Sequence, residues 1–217
     1  MSTPEIITLG CRLNTLESEV MRDALAKAGA NDTVIVNTCA VTAEAERQAR
    51  QTIRKLRRDR PGARIIVTGC AAQLDPAKFS TMAEVDRVVG NAEKLDAATL
   101  LGDGDILVSD IDTVRETAGH LVSGLEGRTR AFVLVKQGCD NDCKLCIIPA
   151  ARGKNREAPL APIIEPVVQL TANGNNDVGL SWVEHVAYGA GLGHGRDGRF
   201  RLSGLSRAAV ATLSPLE

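Results

Sequence analysis

Short apolar runs alternate with longer amphipathic ones along the first hundred residues. Residues 5–9 (EIITL), 33–37 (TVIVN) and 64–68 (RIIVT) are too short for helices and rich in β-branched side chains, so each reads as a buried strand. Between them the pattern changes to the helical period. Asn14 with Glu17 three residues on has the spacing of a capping box, which predicts a helix over 15–28 that Gly29 stops. Thr42 predicts the cap of a second, longer helix that reaches about residue 60, where Pro61-Gly62 ends it. A weak helix over 76–82, a strand over 86–89 and a helix after Ala92 continue the alternation. Repeated strand–helix units predict an α/β class and a doubly wound parallel sheet.

Residues 102–128, with GDGD and VSGLEGR, lose this periodicity and read as a linker between a domain over 1–101 and a second over 129–217. In the second, 130–137 (RAFVLVKQ) predicts a strong strand, 163–172 a helix, 173–176 a turn and 178–183 a further strand. Beyond residue 188 the chain is glycine-rich and aperiodic, with at most one short helix over 206–213.

Charge and composition exclude several classes. Lys plus Arg number 26 against 27 for Asp plus Glu, so no global basic field marks a nucleic-acid binder and any RNA contact is local. Aromatics are only 2% of residues, too few for a stacking platform. No apolar run reaches the roughly 20 residues of a membrane span, and the first nine residues lack the form of a signal peptide, so the expected location is the cytoplasm. In that reducing compartment six cysteines point to metal or catalysis rather than to disulfides.

The cysteines fall into two triplets. Cys11, Cys39 and Cys70 each lie one or two residues after a predicted strand, and parallel strands bring such positions to one sheet edge, where open α/β folds bind ligands. Three buried, inert thiols are the plainer alternative. Cys139, Cys143 and Cys146 have the spacing C-x3-C-x2-C. Three thiolates on one tight loop can ligate three irons of a [4Fe-4S] cube and leave the fourth open. Structural zinc is the alternative; it wants four ligands and would borrow His185 or His194. The cation-rich second helix (Arg47, Arg50, Arg54, Lys55, Arg57, Arg58, Arg60) has two readings, dipole compensation or a phosphate-contacting face.

Phe132, Gly138-Cys139-Asp140, the triplet itself, Cys146-Ile147-Ile148-Pro149 and Arg152-Gly153 resemble the cluster loop of the radical S-adenosylmethionine methylthiotransferases. Gly10-Cys11, Asn37-Thr38-Cys39-Ala40-Val41-Thr42 and Thr68-Gly69-Cys70-Ala71 resemble the amino-terminal cluster domain of the same family. The version here is most similar to the branch that acts on threonylcarbamoyladenosine in tRNA; other branches act on isopentenyladenosine in tRNA or on a ribosomal protein. The resemblance implies two [4Fe-4S] clusters and S-adenosylmethionine as cofactors. Cys139, Cys143 and Cys146 would hold the radical-generating cluster, whose open iron is chelated by S-adenosylmethionine, and Cys11, Cys39 and Cys70 the auxiliary, sulfur-donating one. It further implies a methylthio transfer enzyme with tRNA as substrate and an external electron donor, and no membrane. Neither oligomeric state nor individual catalytic residues follow from it.

Three departures qualify the expectation. Ala150 follows Pro149 where a bulkier residue is usual, and Ser181-Trp182-Val183-Glu184 puts an indole where the family carries a glycine-bearing motif. Too few residues follow Cys146 for eight β/α units at about 30 residues each, so the second domain is expected to be an incomplete radical S-adenosylmethionine β/α barrel. A non-enzymatic iron–sulfur protein is therefore the competing functional class.

Overall fold

The computed structural model describes residues 4–115, 130–173 and 177–183. The alternation predicted at the amino end is realised as β1 (Glu5–Thr8), α1 (Arg12–Lys27), β2 (Thr33–Thr38), α2 (Ala43–Asp59), β3 (Arg64–Gly69), α3 (Cys70–Leu74), α4 (Pro76–Ser80), β4 (Arg87–Val89), α5 (Ala97–Leu101) and β5 (Ile106–Leu107). The five strands form one parallel sheet in sequential order, with Val36 beside Val67 and Asn37 beside both Thr8 and Thr68. Alternating side chains of a strand leave on opposite faces. Val34, Val36, Ile65 and Val67 accordingly pack with Ile53 and Leu56 of α2 and Phe79 of α4, while Ile35, Ile66 and Val89 pack with Met21 and Leu25 of α1 and Leu100 of α5. Helices on both faces explain why every residue of β2 is buried.

The sequence reading of α2 holds in detail. Thr42 caps it by accepting a hydrogen bond from the Ala45 amide at 3.1 Å, and Glu44 and Glu46 occupy the first turn. Its cations turn to carboxylates of the same protein: Arg47 to Glu44, Arg50 to Glu46, Arg54 to Glu84, Arg57 to Asp86, and Arg60 to both Glu5 and Asp32. Lys55 and Arg58 are exposed.

The start of α1 differs from expectation. Cys11 is its N-cap and makes no side-chain cap bond, so Asn14 and Glu17 lie inside the helix, fully buried, instead of closing a capping box. β5 and a single 3-10 turn (Ile111–Thr113) occupy the start of residues 102–128, with Ile111 buried.

The chain divides into two compact units, one of 1–114 with 143–153, the other of 115–142 with 154–217. The first therefore includes α6 (Ile148–Arg152), which packs against α3 and the 3-10 turn. In the second, β6 (Arg130–Gln137) is flanked by β7 (Arg156–Glu157), antiparallel, and by β8 (Asp177–Trp182), parallel, with α7 (Leu160–Ala172) connecting β7 to β8. β6, α7 and β8 make one β/α unit, whose core is Val133, Val135, Ile163, Val167 and Leu170. Trp182, at the end of β8, stays 39% exposed. His185, His194 and the helix expected over 206–213 lie outside the described residues.

Candidate functional site

Three adjacent strands bring the first triplet to a common edge. Cys39 and Cys70 each follow by one residue the register pair Thr38 and Gly69, so they leave neighbouring strands at the same level. Cys11 follows β1, the neighbour of β2 on its other side. Cys39 and Cys70 are buried and Cys11 is exposed. Two glycines keep the edge tight. Gly10 has φ +109°, and a Cβ there would stand 2.6 Å from the Cβ and 2.8 Å from the Sγ of Cys39. Gly69 has φ +97°, and its Cβ would fall 2.3 Å from the Thr38 carbonyl oxygen. Both positions lie in the left-handed region that side chains other than glycine adopt at a cost.

Behind this edge lies a buried polar network. Asn14 donates through Nδ2 to the carbonyls of Leu9 (2.8 Å) and Thr38 (2.9 Å), tying the end of β1 to the end of β2. Its Oδ1 accepts from Arg152 Nη2 at 2.6 Å and from the Cys11 thiol at 3.7 Å. Asn91 Nδ2 donates to the Ala151 carbonyl at 2.6 Å and lies 3.9 Å from Cys70 Sγ, while its Oδ1 accepts from Lys94 Nζ at 2.8 Å. Glu17 joins the two halves: Oε2 accepts from Lys94 Nζ at 2.6 Å, and Oε1 from Arg152 Nη1 at 2.8 Å. Relative exposures of 0% for Glu17 and Lys94 and 3% for Arg152 place all three charges out of water.

Burial alone opposes ionising Glu17, but the charges of Arg152 and Lys94 and their hydrogen bonds outweigh it and lower its pKa to about 2. For Arg152 the attraction of Glu17, with Cys70 and Cys11 nearby, overcomes burial and raises the value further. Lys94 moves the other way. Its burial, with the repulsion of Arg152, depresses it below an ordinary lysine despite Glu17.

The second triplet is built differently. Cys139 is buried just beyond β6, where its Sγ accepts from the Asn141 amide at 3.5 Å and the Asp140 carboxylate accepts from the Asn155 amide at 2.9 Å. Cys143 and Cys146 are exposed and belong to the first compact unit; the Cys146 amide donates to the Cys143 carbonyl at 2.9 Å, closing a turn. Leu145 between them is 94% exposed.

The first edge suits a cluster held by thiolates. The side-chain-free cradle at Gly10 leaves Cys39 Sγ open to a close neighbour, and Asn91 Nδ2 points at Cys70 Sγ from 3.9 Å. Among the described residues no group of three or more His, Cys, Asp and Glu side chains is drawn together as a ligand set, so the thiols share an edge without converging further.

Sequence reasoning missed Asn14, Glu17, Asn91 and Lys94 as members of this site. A signal existed for two of them, because Asn14 and Glu17 fall on the same helical stripe as Met21 and Leu25, where a polar residue needs a buried partner.

Comparison with known proteins fits this architecture. The profile of the family described as Uncharacterized protein family UPF0004 matches residues 3–90. The threonylcarbamoyladenosine tRNA methylthiotransferase MtaB of Rickettsia prowazekii is 48% identical over 189 residues, 87% of this chain and 45% of that protein. Over the residues matched, the chain is similar to the methylthiotransferases. The MtaB of Thermotoga maritima is 35% identical over 205 residues, covering 89% of this chain and 46% of its own. Another methylthiotransferase, the ribosomal protein uS12 enzyme RimO of Anaeromyxobacter sp. (strain K), is 32% identical over 200 residues, with 85% and 42% covered. The chain thus spans about half the length of the curated relatives it matches. Its fold is also that of TsrM from Kitasatospora setae, a radical S-adenosylmethionine methyltransferase, with a TM-score of 0.59 at 17% identity over 99% of this chain and 52% of that one. Among the described residues no helix is long and apolar enough to cross a membrane.

Proposed function

We propose that this chain carries the cluster-binding part of a threonylcarbamoyladenosine tRNA methylthiotransferase and acts in the cytoplasm on tRNA with an external electron donor. The observation that carries the reading is the gathering of Cys11, Cys39 and Cys70 at the ends of three neighbouring strands, beside a glycine cradle, in a chain that also holds C-x3-C-x2-C. The relatives named above supply the chemistry and substrate of the class, and at 48% identity the Rickettsia enzyme favours adenosine in tRNA over the ribosomal protein.

In this reading Cys139, Cys143 and Cys146 hold one [4Fe-4S] cluster and Cys11, Cys39 and Cys70 the other. When bound, the first cluster would supply reductive cleavage of S-adenosylmethionine with an electron from the external donor, and the second would supply sulfur. The chain's own residues bind and position. Gly10 and Gly69 allow the ends of the strands to approach closely, Asn14 fixes the ends of β1 and β2 to each other, and Arg152 anchors the segment after Cys146 to α1.

The test is iron content and S-adenosylmethionine cleavage after anaerobic reconstitution of the full chain. About eight irons per chain are expected, about four after Cys143→Ala, with 5′-deoxyadenosine released by the unmodified chain under reduction. Stoichiometric zinc with no iron would overturn the assignment of both triplets. Eight irons without deoxyadenosine would leave a cluster-binding protein rather than an enzyme.

A further inference from the structure

The network behind Cys11 and Cys70 reaches each thiol through one asparagine, Asn91 donating toward Cys70 and Asn14 accepting from Cys11. One arm runs from Lys94 through Asn91 to Cys70, at 2.8 and 3.9 Å. The other runs from Arg152 through Asn14 to Cys11, at 2.6 and 3.7 Å. Each arm is a cation, an asparagine and a cysteine, and both cations close on Glu17. Burying two cations against one carboxylate is costly, and an apolar set of the same volume serves stability as well or better. Asn14 turns Oδ1 to Arg152 and the Cys11 thiol and Nδ2 to backbone, whereas Asn91 turns Oδ1 to Lys94 and Nδ2 to Cys70 Sγ and the Ala151 carbonyl.

We propose that Lys94, Arg152 and Glu17, with Asn91 donating toward Cys70 Sγ, are positioning residues that set the electrostatic potential at the first cysteine edge and thereby tune the reduction potential of the cluster it holds. The proposal rests on the assignment of Cys11, Cys39 and Cys70 to a [4Fe-4S] cluster. A thiolate-bound cluster is anionic, its potential follows net charge and hydrogen bonding to sulfur, and full charges out of water act at long range. Removing a cation makes added electron density less favourable and lowers the potential; removing the carboxylate's charge raises it. A merely structural role gives no such opposition of sign, since any loosening of the site admits water and moves both variants the same way.

The experiment uses the full chain with Cys139, Cys143 and Cys146 all changed to Ser, so that one cluster remains, reconstituted anaerobically and titrated with dithionite while the reduced cluster is followed by electron paramagnetic resonance. Lys94→Met and Glu17→Gln, both close to isosteric, are compared with the parent, with iron content and thermal midpoint measured alongside. The midpoint potential is expected to fall in Lys94→Met and rise in Glu17→Gln, while both melt earlier than the parent. Should Lys94→Met not fold, Lys94→Gln tests the same fall. Shifts of the same sign, or none, at unchanged iron content overturn the proposal and leave the cluster assignment standing. A parent that binds no iron overturns the assignment and the proposal with it.

Discussion

Cys11, Cys39 and Cys70 lie far apart in the chain and reach one edge because β1, β2 and β3 are neighbours, whereas Cys139, Cys143 and Cys146 come from a single short loop. The first set is held by a sheet buried on both faces and by a charged network sealed from water. In the second, Cys139 is buried just beyond β6, while Cys143 and Cys146, joined by one backbone hydrogen bond, are exposed. Long-range gathering needs a rigid scaffold, because each of its members is otherwise free over the whole length of chain between them. Local gathering needs only a loop, and leaves that loop able to admit a ligand. Yet the contrast is incomplete, since residues 143–153 belong to the first compact unit and Arg152 reaches Glu17.

The largest expected effect comes from breaking that link. Glu17→Ala strands two buried cations and is expected to cost about 3–5 kcal/mol in urea unfolding. Hydrogen exchange across 143–153 should quicken in the same variant. A loss under about 1 kcal/mol, with exchange in 143–153 unchanged, would mean that the second triplet's loop is independent of the first unit.

Acid offers a gentler way to the same bond. The folded pKa of Glu17 is about 2 against an ordinary 4.5, so its stabilisation is complete above pH 4.5 and is lost as pH falls toward 2. The loss over that window is about 3 kcal/mol, at about 1.4 kcal/mol for each tenfold change in proton affinity. Urea unfolding at a series of pH values checks it, and Glu17→Gln should flatten the dependence in this window. An equal slope in the variant would assign the acid sensitivity to other carboxylates.

A smaller effect sharpens the comparison from the side of the scaffold. Gly69→Ala brings a Cβ within 2.3 Å of the Thr38 carbonyl oxygen at φ +97°, and should cost about 1–3 kcal/mol. Gly29→Ala also has a left-handed backbone, φ +66°, but meets nothing within 4 Å and should cost less. Equal losses in urea melts would show that backbone conformation, rather than the close approach of β2 and β3, sets the requirement at Gly69.

Periodicity and composition by themselves determined the strands β1 to β3, the capped helix α2, and with them the placing of Cys11, Cys39 and Cys70 at strand ends; these features are local, and a buried strand of four to six residues leaves few other readings. The motif around Cys139, Cys143 and Cys146 was legible for the same reason. Only the tertiary structure decided what Asn14 and Glu17 do. Their spacing of three residues serves a capping box and a buried helical stripe equally, and the partners that choose between them, Lys94 and Arg152, are 77 and 135 residues further along the chain than Glu17. Likewise, that residues 143–153 fold with the amino-terminal sheet follows from α6 packing on α3 and from ion pairs closed across the chain. Local patterning carries no record of such pairings, because a charge is stabilised out of water by whatever opposite charge the completed fold brings to it, at any separation in sequence.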